Sequence, residues 1–311
     1  MVTLSLSMVT FVSAVFAVYA NPLHTLHARQ GFTALTPSEV ASFRPYTFYA
    51  SAAYCEPSTT INWSCGANCD FNPSFQPVAS GGDGFDTPFW YVGFDSTLNT
   101  VIVAHQGTNT VSELEDADFT LSSLDPTLFP GIPSFVEVHD GFKGEHANTA
   151  SAILSAVQLT MSSHPVTHVT MVSHSLGAAI ALLDSVFLPL HLPSGTTFRT
   201  VGYGMPRVGN QAFANYVDQH VTNLNRVNNK EDVVPILPGM FLGFHHASGE
   251  LHILDSDAWV SCPGKTVHQI SRGQFLTSTQ AKTMKTSHVQ QEMLPISSKA
   301  TSATMMALMM E

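Results

Sequence analysis

Apolar residues along this chain come in two rhythms. Phe89 to Phe94 and Thr100 to His105 are apolar runs of strand length. Asp95-Ser96-Thr97-Leu98-Asn99 lies between them and is rich in turn formers, which predicts a hairpin. Val136 to His139 is a short strand candidate. Ala150, Ile153, Leu154, Val157 and Met161 then recur at helical spacing, and Pro165 ends that pattern. Val166 to Val172 is apolar and β-branched, as a strand buried on both faces should be. Leu176 to Leu188 reads as a buried helix, Phe198 to Tyr203 as strand, Gln211 to Gln219 as helix and Leu224 to Val227 as strand. Strands alternating with helices of this length predict an α/β fold: a single domain whose mostly parallel central sheet is flanked by helices. Residues 54–88, rich in Cys, Pro, Gly, Ser and Asn, predict surface loops.

Composition narrows the partners. Lys plus Arg number 12 against 23 Asp plus Glu, a formal charge of −11 over 311 residues. Phosphate binding needs a basic face, so nucleic acid is excluded, and so is electrostatic docking on an anionic membrane. An uncharged substrate or an oil-like interface fits. Residues 1–20 carry no charged side chain and hold an apolar stretch, Met8 to Ala20, too short to span a membrane. Val18-Tyr19-Ala20 suits signal-peptidase cleavage, so the expectation is a signal peptide over 1–20, a pro-segment over 21–30, and a secreted, monomeric protein without stable membrane insertion. The four cysteines contain no zinc-type CxxC pair. Cys65 and Cys69 are close enough to bond to each other, beside the sequon Asn62-Trp63-Ser64. No metal-ligand cluster or cofactor motif appears.

The sharpest chemistry lies at Ser173-His174-Ser175-Leu176-Gly177, between a predicted strand and a predicted helix. A nucleophile elbow needs that context, because its turn tolerates only small residues two before and two after the serine. Gly177 meets the demand, and Ser173 adds only a hydroxymethyl group. The helix N-terminus also favours the negative charge that develops during acyl transfer.

At these residues the chain resembles the fungal lipases of the class 3 type, within the α/β-hydrolases and nearest in look to basidiomycete members. The resemblance covers roughly residues 45–264. It extends through Val103-Ala104-His105-Gln106-Gly107-Thr108, Val138-His139-Asp140-Gly141-Phe142, Gly202 to Asn210 and Asp232-Val233-Val234-Pro235. It implies a domain over 31–264 that hydrolyses lipid esters through an acyl-enzyme. In that scheme Ser175 is the nucleophile, Asp232 the triad acid, and Leu176 and Thr108 supply the oxyanion hole. Residues from about Asn109 to Leu124 match the lid position, with Val111, Leu114 and Phe119 as its apolar side chains. The alternatives are a feruloyl-type cell-wall esterase and a non-catalytic lipid-binding relative.

The base is harder to place. After Asp232 the histidines are His245, His246, His252, His268 and His288. The first three fall in a segment that in the family precedes the catalytic histidine. The resemblance stops before the other two. Family members pair cysteines like Cys55 and Cys262 with C-terminal cysteines that this chain lacks. Residues 265–311 lose the βαβ rhythm and predict an aberrant, disordered tail. Shifted by one reading frame, the Met-rich end permits a His-Asp-Gly-Pro-Tyr motif of the family type, and a splice donor can be spelled at Gly264-Lys265. The expectation is a retained intron and an impaired enzyme whose catalytic histidine is missing.

Overall fold

The computed structural model describes residues 31–108 and 119–264, and beyond them only the backbone of a short pair, Ile270–Ser271 and Gln274–Phe275. The predicted signal peptide, pro-segment, most of the lid and nearly all of the tail therefore lie outside the described residues.

A nine-stranded sheet organises the chain in the order β1-β13-β12-β10-β8-β7-β4-β3-β2. Its five central strands run parallel: β4 (Thr100–His105), β7 (His168–His174), β8 (Thr197–Tyr203), β10 (Leu224–Asn229) and β12 (Glu250–Ile253). Both flanks are antiparallel. On one side the predicted hairpin forms as β3 (Trp90–Asp95) against β4, with β2 (Phe75–Gly81) outside it. On the other lie β13 (Trp259–Ser261) and β1 (Thr33–Ala34). The parallel centre with antiparallel edges is the predicted α/β-hydrolase architecture.

Alternation along the strands splits the core in two. Val101 and Val103 of β4 face a cluster with Ile153 and Val157 of helix Asp140–Ser163 and Leu183 of helix Leu176–His191. Ile102 and Ala104 face the opposite cluster, closed by Phe43, Tyr46 and Tyr49 around helix Arg44–Ala52. We number the helices α1 (Pro37–Ala41), α2 (Arg44–Ala52), α3 (Pro57–Thr60), α4 (Ala67–Asp70), α5 (Asp140–Ser163), α6 (Leu176–His191) and α7 (Gln211–His220). Four short strands, β5 (Leu121–Ser123), β6 (Glu137–His139), β9 (Gly209–Asn210) and β11 (Phe244–His245), make a second small sheet.

Two expectations need correction. Residues 54–88 are not all loop: they hold α3, α4 and the edge strand β2, whose Pro77 sits beside a register shift. An edge strand tolerates such composition because one side needs no ladder partner. Helix α5 also begins ten residues before the predicted apolar pattern, at Asp140, with the His139 ring capping Phe142 N–H at 3.4 Å. Its buried stripe continues backward through polar residues, His146 and Thr149, so hydrophobicity alone does not reveal it. Cys65 and Cys69 form the predicted disulfide, while Cys55 and Cys262 are free thiols. Among the described residues no helix is long and apolar enough to cross a membrane.

Candidate active site

Strand β7 ends at His174 and α6 starts at Leu176, so Ser175 alone makes the turn. It does so at φ 56° and ψ −127°, a conformation that non-glycine residues rarely hold and that clusters at functional sites. The turn is possible because Gly177 has no side chain: a Cβ there would strike the carbonyls of His105 and Gln106 at the end of β4. Ser173 is more than a tolerated small residue. Its hydroxyl donates to Val172 O at 2.7 Å and accepts from His105 N at 2.9 Å, tying the ends of β7 and β4 together.

Opposite the serine runs Gln106-Gly107-Thr108. Gln106 is fixed at both ends, its N–H donating to Phe89 O at 2.7 Å and its Oε1 accepting from Phe89 N at 2.9 Å. Gly107 passes so close that a Cβ would meet the Tyr54 hydroxyl and the His174 carbonyl. This brings Thr108 Oγ1 to 3.5 Å from Ser175 Oγ. Leu176 opens α6, and the first N–H groups of a helix have no intrahelical acceptor. The Thr108 hydroxyl and the first turn of α6 thus flank the serine.

Asp232 follows β10. Val234 N–H donates to its Oδ1 at 3.0 Å. The residue is partly exposed, but Oδ2 is shielded from water and accepts no hydrogen bond among the described residues. Gly204, at φ 54°, makes room for it: a Cβ there would lie 2.9 Å from Asp232 Oδ2 and 3.4 Å from His174 Nε2. Desolvation raises the Asp232 pKa against the opposing pull of the Val234 N–H. His174 is buried, and its Nδ1 lies 2.7 Å from the Tyr54 hydroxyl. Burial pushes its imidazole down to about 4, so it is neutral near pH 7.

The structure thus gathers Ser175, Leu176 and Thr108 at one point and sets Asp232 beside the neighbouring strand end. His246 is buried with Nε2 2.7 Å from Pro235 O, and His252 faces Glu250 at 3.5 Å. Neither is hydrogen-bonded to Asp232 or Ser175. His268 and His288 lie outside the described residues. Sequence reading missed a buried group behind the elbow: Asp184 on α6 meets His105 Nε2 at 2.7 Å and His146 Nε2 at 3.2 Å. Burial opposes its ionisation, but the two imidazoles outweigh that and hold Asp184 below its ordinary range. The polar residues on the otherwise apolar faces of α5 and α6 were the available signal. It missed Tyr54 as well.

Residues 102–242 match the family model for lipase (class 3). A secreted mono- and diacylglycerol lipase of Fusarium solani is 31% identical over 237 residues, covering 73% of this chain and 68% of its own length. A Malassezia globosa relative, secreted mono- and diacylglycerol lipase MDL2, is 35% identical over 171 residues, covering 53% of this chain. The chain spans 56% of that relative. Among solved structures, lipase II from Rhizopus niveus superposes with a TM-score of 0.68 at 26% identity, over 76% of this chain and 89% of that one.

Proposed function

The chain belongs to the class 3 lipase family, and from that premise we propose that it is an extracellular, monomeric serine hydrolase of acylglycerol esters with Ser175 as nucleophile. The strained Ser175 backbone at the α6 N-terminus, with Thr108 Oγ1 3.5 Å from its hydroxyl, carries this reading. Ser175 Oγ attacks the ester carbonyl carbon, and its proton passes to an imidazole. The carbonyl oxygen gains charge as it becomes tetrahedral. The Leu176 N–H and the Thr108 hydroxyl or N–H stabilise that charge, helped by the helix dipole. The imidazolium then protonates the departing alcohol, leaving an acyl-Ser175 ester. A water, deprotonated by the same imidazole, releases the acid. Asp232 Oδ2 would fix the tautomer and stabilise the imidazolium. No metal or cofactor enters this chemistry.

His246 and His252 are hydrogen-bonded to neither Asp232 nor Ser175, and we propose that the base lies outside the described residues and that the family-type histidine motif is absent from residues 265–311 in this reading frame. The relatives' names favour mono- and diacylglycerol substrates. Fluorophosphonate labelling of the 311-residue chain, with and without added imidazole, is the direct test. Labelling at Ser175 marks an activated serine, and its stimulation by imidazole marks a missing base. No labelling under either condition points instead to a non-catalytic lipid-binding relative. Profiling acylglycerols against hydroxycinnamate esters separates lipase from feruloyl esterase.

A further inference from the structure

We propose that Met240-Phe241-Leu242 is a docking wedge that seats the protein on an uncharged lipid surface, a proposal resting on the lipid-ester reading above. Single exposed apolar residues are ordinary, but a contiguous run is not. Here three successive large apolar side chains face outward, with Phe241 89% exposed, and Val233 is exposed nearby in the same loop. The run follows β10 at the end of the sheet where Ser175 and Asp232 stand. Phe85, 91% exposed, tips the β2–β3 turn at that same end, because Trp90 of β3 pairs with His105, the last residue of β4.

The wedge is held outward. Arg207 is buried, and its guanidinium donates to Pro238 O at 2.8 Å and also to Ile236 O, while its N–H donates to Leu237 O at 2.7 Å. Leu242 N–H closes a 3₁₀ turn onto Gly239 O at 2.9 Å, and Gly243, at φ 92°, turns the chain back. The Phe241 ring lies over Gly239, where a Cβ would collide with it. Three carbonyls engaged by one buried arginine are more than a turn between strands needs. They fix an apolar projection whose far end abuts β5: a Cβ on Gly243 would lie 3.4 Å from Leu121.

Charge selects the partner. Asp83 and Asp86 flank Phe85, Glu231 precedes the acid loop, and the chain carries a formal charge of −11. An anionic surface would be repelled, whereas a neutral acylglycerol or phosphatidylcholine surface accepts aromatic and aliphatic side chains without that cost.

The test is flotation of the full chain with phosphatidylcholine vesicles, comparing the parent with Phe241→Asp. The milder Phe241→Ser is run alongside, and thermal melting confirms that each variant folds. The expected result is a partition coefficient lowered about tenfold or more by Phe241→Asp, with unchanged melting. Failure of the parent to float, equal binding by folded variants, or preference for phosphatidylglycerol vesicles would each overturn the proposal. So would a concentration-dependent dimer that Phe241→Asp dissociates while the parent ignores vesicles, since the wedge would then join two copies. Binding needs no catalysis, so the outcomes separate. Phe241-dependent flotation without turnover of any ester keeps the wedge and removes the enzymatic reading. Hydrolysis of soluble esters without flotation does the reverse.

Discussion

Asp184 and Asp232 both stand near the elbow, in regions built differently. Behind the elbow, Asp184 has two imidazoles within ion-pair distance, and they hold it ionised despite burial. In front, Asp232 has one backbone donor on Oδ1, and the shielded Oδ2 has no partner among the described residues. Desolvation therefore wins at Asp232 and loses at Asp184. The first aspartate sits between two buried imidazoles, His105 Nε2 at 2.7 Å and His146 Nε2 at 3.2 Å, as structural ion pairs do. The second keeps a shielded acceptor, Oδ2, without a partner among the described residues, and the proposed triad-acid role would use it. The same asymmetry recurs deeper on the acid side. Arg226 of β10 is fully buried, with its guanidinium nitrogens unbonded among the described residues.

The largest effect should come from the nucleophile. Ser175→Ala is expected to lower turnover of a short-chain nitrophenyl ester on the order of 10⁶-fold relative to a parent with a working base, because triad members act as a unit. Near-parent turnover would remove Ser175 from the chemistry. Asp232→Asn should cost roughly 10⁴-fold in turnover through the wrong imidazole tautomer. It should leave melting nearly unchanged, since burial already disfavours the carboxylate. A folded Asp232→Asn variant within tenfold of the parent would pass the role to another acid.

Asp184→Asn should give the opposite pattern. It leaves His105 and His146 buried without their carboxylate, a loss that typically costs about 3–5 kcal/mol. For a domain of this size that is a melting temperature lower by roughly 6–20 °C. Ester turnover per folded molecule should change little. A melting shift under about 2 °C, or a turnover loss as large as that of Asp232→Asn, would erase the distinction between the two aspartates.

What the sequence disclosed follows this division. The elbow is contiguous, and its steric demands fall on Ser173 and Gly177, so five residues state it. Asp232 could be found because chain order and a turn-fixing Val-Val-Pro mark it. The Asp184 cluster was hidden because its members come from β4, α5 and α6, and each alone looks like a polar residue out of place. Strands β2, β12 and β13 escaped for a related reason. Strand β2 is half-buried and mixed in composition, while β12 and β13 are only four and three residues long and are buried by neighbours that only the folded topology supplies. The wedge was invisible too, since an apolar Met-Phe-Leu reads as core until its burial is known.

The smallest effect is on stability against pH, and it resides in His174. Its folded pKa lies at about 4, below the ordinary value of 6.5, because burial disfavours the cation. The unfolded chain thus binds more protons between those values. The stabilisation is fully present above pH 6.5 and is lost as pH falls toward 4. At 1.36 kcal/mol per unit its ceiling is about 3 kcal/mol. His246 is depressed in the same direction, first by burial and then by Arg226 and Arg207, and adds to the slope. Asp232 works against it: its pKa is raised, so its penalty is relieved as the carboxyl protonates in acid. The Tyr54 hydroxyl, 2.7 Å from His174 Nδ1, can donate or accept and so serves either tautomer. Unfolding in urea at pH 7, 6, 5 and 4 should therefore show stability falling with pH, and His174→Gln should flatten that fall. An unchanged slope in a folded His174→Gln variant would show that the ring is not held neutral by its pocket, and that the elbow is wetter than its burial implies.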